Sequence, residues 1–544
     1  MPHETFATRF GLRPIAYGRR GMIATANPLA SLAGVRMLAQ GGNAVDAIVA
    51  AAAAIGIVEP YMSGLAGCGT LVLTPPGATP RVLEFLGRAP GAAAPAGFPD
   101  GPPDAGYRAP AVPGNLAGWA RVLAEYGTLS LGQVLEPAIE YAEGGIPFTV
   151  FDHLMFSETA DRLTPEGVAT YLHGGRVPEV GALLVQRDLA ATLRQIAAQG
   201  IGYLYDGPLG RKIDRLMRER DGLLTEADLR AYPGALRWVE PIQTAYRGVA
   251  VYAPPPPTSA VQVLETLAIL GGFDVGATAH LGPDHIALVA EASRLARVDT
   301  DRAVGDPAHV AAAVSRLLSA EHVEGRRREV ARRQTPDART AEAAAGGGDA
   351  VTGSTTHLAA ADASGLAVNI THSLGHGFGS GVVVPGTGVC LNNALHWFSM
   401  TPGHPNVIAS GKMHEWPIAP VHLFRDGTFW GTVGTPGSYG ILVTTVQVLV
   451  NLIDFSLNLQ DAVAAPRFRW VDDVGDPLPA RALRMEARFP GATRAAMAAR
   501  GYVVETLGDW SMRVGGVQAV LADRKTGWLA GAADPRRNGY AIGW

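Results

Sequence analysis

Residues 353–358 read GSTTHL, a threonine pair and a histidine placed directly after the small, Gly-rich run TPDARTAEAAAGGGDAVTGS at 335–354. A threonine hydroxyl is a weak nucleophile and needs a base beside it; one solution uses the residue's own α-amine once that residue is N-terminal. An α-amine of ordinary pKa, about 7.7–8.0, is partly neutral at physiological pH and accepts the hydroxyl proton. This chemistry needs no histidine, but it requires the peptide bond before the threonine to break. The 335–354 run is a flexible linker by composition, which would let a freed end move away. The chemical expectation is cleavage at Ser354–Thr355, making Thr355 a new amino terminus and the nucleophile. A threonine pair that only opens a β-strand after a loop is the alternative.

Other motifs carry less chemistry. GHGFGSG at 375–381 leads into VVVPG and not into a helix, so it fails the context of a dinucleotide-binding loop. His372 and His376 have the i,i+4 spacing of helical metal ligands but fall in strand and loop patterning, and His414 in HEW lacks the second histidine of HExxH. Cys68 and Cys390 give neither a disulfide framework nor CxxC spacing, and read as small buried residues. No metal and no organic cofactor is expected.

These residues need a scaffold of considerable size. The chain has 544 residues, beyond one ordinary core, so two domains or one large layered assembly is expected. Hydrophobic residues at 47% and charged residues at 17% are a globular balance. A formal net charge of −4 with scattered basic residues points to neither nucleic acid nor an anionic membrane as partner. The basic run GRRREVARR at 325–333 reads as a solvated helix face. AIVAAAAAIGIV at 47–58 is too short to span a bilayer and the start has no signal-like apolar run, so a soluble, cytoplasmic protein is expected.

The pattern predicts helices first and strand hairpins later. Asn27 and Asn43 are candidate N-caps of two helices separated by Gly41-Gly42, the second Ala-rich and therefore buried between layers. TLVLTP and RVLEFL read as a hairpin; 112–145 and 185–230 are mostly helical; IQTAYRGVAVYA is again strand, followed by helices in VQVLETLAIL and HIALVAEASRLARVDTDR. After the linker come THLAAAD, GLAVNITHSL, GVVVPGTGVCLNN and VHLFRDGTFWGTVGTP as β-rich runs, two helices in TVQVLVNLIDF and NLQDAVAAPRF, and a strand pair around RKTG. Sheets packed face to face under helices are the consistent assembly.

GMIATANPLASLAGVRMLAQGGNAVDAIVA, VEPYMSGLAGCGT, APAVPGNLAGW, YAPPPPTSA, VAEASRLARVDTDRAVGDP, TTHLAAADASGLAVNIT, FGSGVVVPGTGVCLNN, GTPGSYGILVTTVQVLVNLIDF, APRF and ADPR occur in this order over nearly the whole chain. Through them the sequence resembles the γ-glutamyltransferase family of N-terminal nucleophile hydrolases. The resemblance implies an α/β, four-layer αββα fold and a precursor that cleaves itself before Thr355. The products would be a large fragment 1–354 and a small catalytic fragment 355–544, associating as an αβ heterodimer or as pairs of these. Ser373 stands where the family has a second threonine bonded to the nucleophile, and the Gly437 and Ser438 amides match the Gly-Gly oxyanion hole.

The acyl pocket departs from the family. In EFLGRAP, Leu86 replaces the arginine that receives the substrate α-carboxylate, and Arg88, two residues on, would return to the same face if the strand continued. In LNNALHWF, Asn393 is followed by Ala394 and then Trp397 at the positions of the family's Gln and its amine-binding Asp; in MHEWPIAP, Trp416 and Pro417 replace the paired serines. A zwitterion would lose both charge partners there. The resemblance therefore implies a small-molecule amide hydrolase with a non-glutamyl acyl pocket, related to cephalosporin or glutaryl acylases and oxamate amidohydrolases. A genuine γ-glutamyltransferase or glutathione hydrolase, a C–C bond hydrolase of secondary metabolism acting on an activated ketone, and an uncleaved non-catalytic homologue are the alternatives.

Overall fold

The computed structural model describes residues 13–311, 313–333, 354–470, 482–523 and 525–544. The linker expected at 335–354 lies outside the described residues except for Ser354. Two seven-stranded antiparallel sheets dominate. Their strands, in chain order, are β1 (Ala16–Gly18), β2 (Gly21–Thr25), β3 (Cys68–Thr74), β4 (Arg81–Phe85), β5 (Arg237–Val239), β6 (Ile242–Tyr246) and β7 (Val249–Ala253) before the linker. After it come β8 (Ser354–Asp362), β9 (Ala367–Gly375), β10 (Val421–Arg425), β11 (Thr428–Gly434), β12 (Gln518–Asp523), β13 (Trp528–Ala533) and β14 (Tyr540–Gly543). One sheet runs β14-β2-β8-β9-β3-β4-β5 and the other β1-β13-β12-β11-β10-β7-β6. Both sheets mix strands from either side of the linker, so the regions 1–354 and 355–544 share one fold.

The helices follow from local chemistry. Asn27 accepts from Leu29 N to start α1 (Pro28–Ala39), and Asn43 with Asp46 forms a capping box that starts α2 (Ala44–Val58). Every residue of α2 is buried, as its alanines require, because it lies between β8–β9 and the outer helix α3 (Leu131–Gly144). On the far side, α4 (Val261–Leu270), α5 (Pro283–Asp301) and α6 (Gly440–Ile453) pack against one another, with α4 over β6–β7 and α6 over β11, completing four layers. Each helical layer has its own apolar core.

Between the sheets the core is different. Its apolar part is small, built around Met22, Ala24, Ala359, Ala361, Ala367, Val520 and Leu529. The rest is polar and cross-bonded: Asn369 Nδ2 donates to Thr432 Oγ1 at 2.6 Å, and Thr74 Oγ1 meets His422 Nδ1 at 2.7 Å across the sheets. Such satisfied polar links fix the register of one sheet on the other more sharply than alanine contacts do. GVVVPGTGVCLNN forms only a short hairpin, Val383–Val384 with Val389–Cys390, outside the two sheets. No helix among the described residues is long and apolar enough to cross a membrane.

Candidate active site

Thr355 lies at the start of the central strand β8, whose nine residues are all buried. It pairs with Ser373 on β9, and the register slips between Ser354 and Thr355, so Ser354 faces Gly375 instead. The bulge re-aims the Ser354–Thr355 peptide at the strand end. Thr355 Oγ1 donates to Ser373 Oγ at 3.2 Å, Ser373 Oγ donates to the Ser354 carbonyl oxygen, and Gly375 N donates to Ser373 Oγ at 2.7 Å. One hydroxyl thus touches both the threonine oxygen and the carbonyl before it.

The Gly437 and Ser438 segment is brought to the same strand by β11. A Cβ on Gly434 would stand 2.2 Å from the His357 ring, so the end of β11 lies flat against the β8 face that Thr355 and His357 share. His357 is fully buried, its Nδ1 is 2.8 Å from Thr371 Oγ1, and burial pushes its pKa down to about 3. It stays neutral and acts as a spacer. Beyond it, Gly437 has φ 134° and Ser438 φ 54°, a turn that opens α6. Among the described residues neither amide donates to a protein acceptor, and both stand at the positive end of a fourteen-residue helix.

The pocket residues divide. Asn393 Oδ1 accepts from His376 N at 3.0 Å, its Nδ2 donates to Asp104 O at 2.8 Å, and its side chain packs on Gly375. Trp397 is buried beside Gly375, and its ring meets Tyr439, the residue after Ser438, at 6.1 Å between centroids. Ala394 is buried against Gly87. Trp416 is pinned by its backbone to Pro257 and Ser259. Leu86 is a core residue whose carbonyl accepts from Tyr232 at 2.6 Å.

The expectation that Arg88 continues a strand face is corrected: β4 ends at Phe85, because the Leu86 carbonyl is taken by Tyr232 and Gly87 is wedged against Cys68, Ala111 and Ala394. Arg88 instead bridges to Val112 and Met413, and its guanidinium donates to the Gly411 carbonyl at 3.2 Å.

Several site residues escaped sequence reasoning. Arg537, fully buried, donates to the Thr355 carbonyl at 3.2 Å. Burial pushes the Glu59 carboxyl up to about 7, with Arg537 opposing. Burial also disfavours charge on Asp104, yet His376 and Arg162 together hold it well below the usual carboxylate range. Glu415, raised by burial, accepts from Ser259 and from Tyr439 at 2.9 Å, while Arg297 lies 3.9 Å over the Tyr439 ring. Arg537 directly follows the quoted ADPR block, and Glu59, Arg297 and Glu415 lie inside quoted blocks that gave them no role. Asp104, His376 and His396, and separately Glu265, Asp299 and His322, bring donor atoms close enough to share a cation, but Arg162 and Arg326 already pair with their aspartates.

The comparisons agree with this architecture. The family model described as Gamma-glutamyltranspeptidase matches residues 30–544. The Acylase ACY 1 proenzyme of Pseudomonas sp. (strain SE83) is 37% identical over 543 residues, covering 97% of this chain and 94% of the relative. The Glutathione hydrolase-like YwrD proenzyme of Bacillus subtilis (strain 168) is 32% identical, covering 97% and 99%. The crystal structure of cephalosporin acylase from Bacillus halodurans superposes with a TM-score of 0.88 at 32% identity, covering 100% of this chain and 98% of that one. The chain belongs to the gamma-glutamyltranspeptidase family of self-processing N-terminal nucleophile amidohydrolases.

Proposed function

We propose that the protein cleaves itself at Ser354–Thr355 and then hydrolyses small amides whose acyl group is not γ-glutamyl, through an acyl-enzyme on Thr355. The hydrogen-bond chain from Thr355 Oγ1 through Ser373 Oγ to the Ser354 carbonyl carries this reading. In maturation, Thr355 Oγ1 attacks the Ser354 carbonyl carbon while Ser373 polarises its oxygen. The C–N bond breaks, the nitrogen takes up the hydroxyl proton, and an ester links Ser354 to Thr355 Oγ1. Water hydrolyses that ester and leaves Thr355 with a free α-amine.

In turnover the α-amine accepts the Thr355 hydroxyl proton as the oxygen attacks the substrate carbonyl. The Gly437 and Ser438 amides receive the developing oxyanion, a contribution of about 3–4 kcal/mol per donor in acyl-transfer enzymes. The amine leaves with a proton, and water releases the acid.

The non-glutamyl reading rests on missing charge partners. A γ-glutamyl group presents an ammonium and a carboxylate, and burying either unpaired is costly. Leu86, Ala394 and Trp397 offer neither charge, Arg88 is turned to Gly411, and both Glu415 oxygens are engaged. The named activity of the Pseudomonas acylase relative points the same way. The test is a rate comparison on the processed protein between simple acyl p-nitroanilides and γ-glutamyl-p-nitroanilide. Higher kcat/KM for the acyl series supports the reading; faster turnover of the glutamyl amide, in line with the glutathione hydrolase-like relative, replaces it.

A further inference from the structure

Arg537 reaches the reacting residue from the far end of the chain. Its Nη1 donates to the Thr355 carbonyl oxygen at 3.2 Å and lies 3.6 Å from Met62 Sδ. The stem is tightly enclosed: a Cβ on Gly516 would stand 2.5 Å from Arg537 Cδ. Bond lengths keep the nitrogen and the carbonyl oxygen of one residue within about 3.6 Å of each other. The guanidinium therefore lies within about 7 Å of the Thr355 nitrogen, which becomes the α-amine once Ser354–Thr355 is cut.

The charges that could cancel this cation are few or already engaged. Glu59 is fully buried, and neither its carboxyl oxygens nor Arg537 Nε find a hydrogen-bond partner among the described residues. Burial raises the Glu59 carboxyl to about 7, so at neutral pH it is only partly ionised. Asp534 is shared between Arg467 and Arg536, and Arg536 also pairs with Glu486. Tyr61 donates to Asp152 at 2.6 Å, and burial keeps its phenol protonated. On the sheet, burial pushes His357 and His372 down to about 3 and leaves them neutral. Beyond β9, His376 is tied to Asp104, which also pairs with Arg162.

A cation beside an ammonium disfavours its charged form. We propose that Arg537 is a positioning residue with an electrostatic role: seated on the Thr355 carbonyl, its guanidinium disfavours the ammonium form of the Thr355 α-amine and keeps that amine a free base near neutral pH. The neutral amine accepts the Thr355 hydroxyl proton as the oxygen attacks, and Glu59 weakens the effect as it ionises. This rests on the self-cleavage reading above and adds the group that tunes its base.

The test titrates the amine itself and needs no substrate. Processed protein is labelled with limiting acetic anhydride from about pH 5 to about pH 10, a range that brackets an α-amine, and the modified fraction at Thr355 is read by peptide mass. Wild type is expected to titrate about one unit below the ordinary 7.7–8.0 of an α-amine. Arg537→Gln keeps a donor for the carbonyl but removes the charge, and should move the midpoint up by about one unit. Arg537→Lys keeps the charge and should stay near wild type. An unchanged midpoint in Arg537→Gln, or a wild-type midpoint at the ordinary value, overturns the role of Arg537 while leaving self-cleavage intact. A wild type with no new amino terminus at Thr355 overturns the self-cleavage reading, and this role with it. Where Arg537→Gln fails to fold or to cleave, the wild-type midpoint decides: a value below about 7.7 sustains the role, and one at or above it overturns the role.

Discussion

The two ends of the site are built from different material. The reacting end is two neighbouring central strands, β8 and β9, in which every residue is buried and each hydroxyl has a position set by register. The loop end is assembled from short irregular segments carrying Arg88, Asn393, Trp397, Trp416 and Tyr439, held by scattered side-chain and backbone bonds and not by one strand register. A strand register tolerates little change, because a one-residue slip turns every side chain to the other face. Loop walls can be replaced while the sheets stay as they are. On the proposed reading, the reacting chemistry lies on the strands and the acyl specificity on the loop walls, which can change independently of the sheets.

The sharpest way to break this contrast is at the shared hydroxyl. Ser373→Ala is expected to slow chain cleavage by about 10²–10³-fold, the scale of losing one oxyanion donor. Ser373→Thr should retain most of the rate. A mass time course of freshly made protein reads both, and an unchanged half-time in Ser373→Ala would remove the serine from the reacting end.

Acid should act on both ends of the site, because burial also holds the loop residues His396 and His414 down to about 4. Burial holds His357, His372 and His422 down to about 3, each below its ordinary value near 6.5. The unfolded chain then binds protons that the fold refuses, so stability is complete above pH 6.5 and declines as pH falls toward 3. Each histidine contributes a slope of about 1.4 kcal/mol per pH unit. Denaturant midpoints at pH 7 and pH 5 should differ clearly in wild type, and a flat profile would mean these rings are charged in the fold.

Gly434→Ala places a methyl 2.2 Å from the His357 ring, which is fully buried and held at Nδ1 by Thr371, so it cannot easily turn aside. A loss of about 1–3 kcal/mol in unfolding free energy is expected. No change in thermal midpoint would show that the sheets are looser at this point than the contact implies. The smallest effect belongs to the loop wall: Arg88→Gln removes a partly exposed contact to the Gly411 carbonyl and should alter kcat/KM on carboxylated acyl substrates by about twofold or less. A loss near a hundredfold would restore Arg88 as a carboxylate clamp.

The reacting end was also the legible one. The Thr355 strand, the N-caps Asn27 and Asn43, the buried alanine helix and the strand pair around RKTG each follow from periodicity or capping chemistry that a few consecutive residues contain. Arg537 beside Thr355, Asp104 on His376 and Glu415 on Tyr439 carry no local signal, because their partners come from remote segments brought together only by the sheets. Arg88 shows the same limit from the other side. Strand alternation would have kept it on the pocket face, but the Tyr232 hydroxyl and the close packing at Gly87 end the strand first.

The central claim is that Thr355 is both the self-cleaving residue and the nucleophile, and the intact mass of purified wild type beside Thr355→Ala tests it most directly. The account predicts that wild type separates into fragments 1–354 and 355–544 with Thr355 at the new amino terminus, while Thr355→Ala stays whole and inactive. A wild-type chain that remains full length after prolonged incubation, or a Thr355→Ala chain that still splits at the same bond, would contradict it.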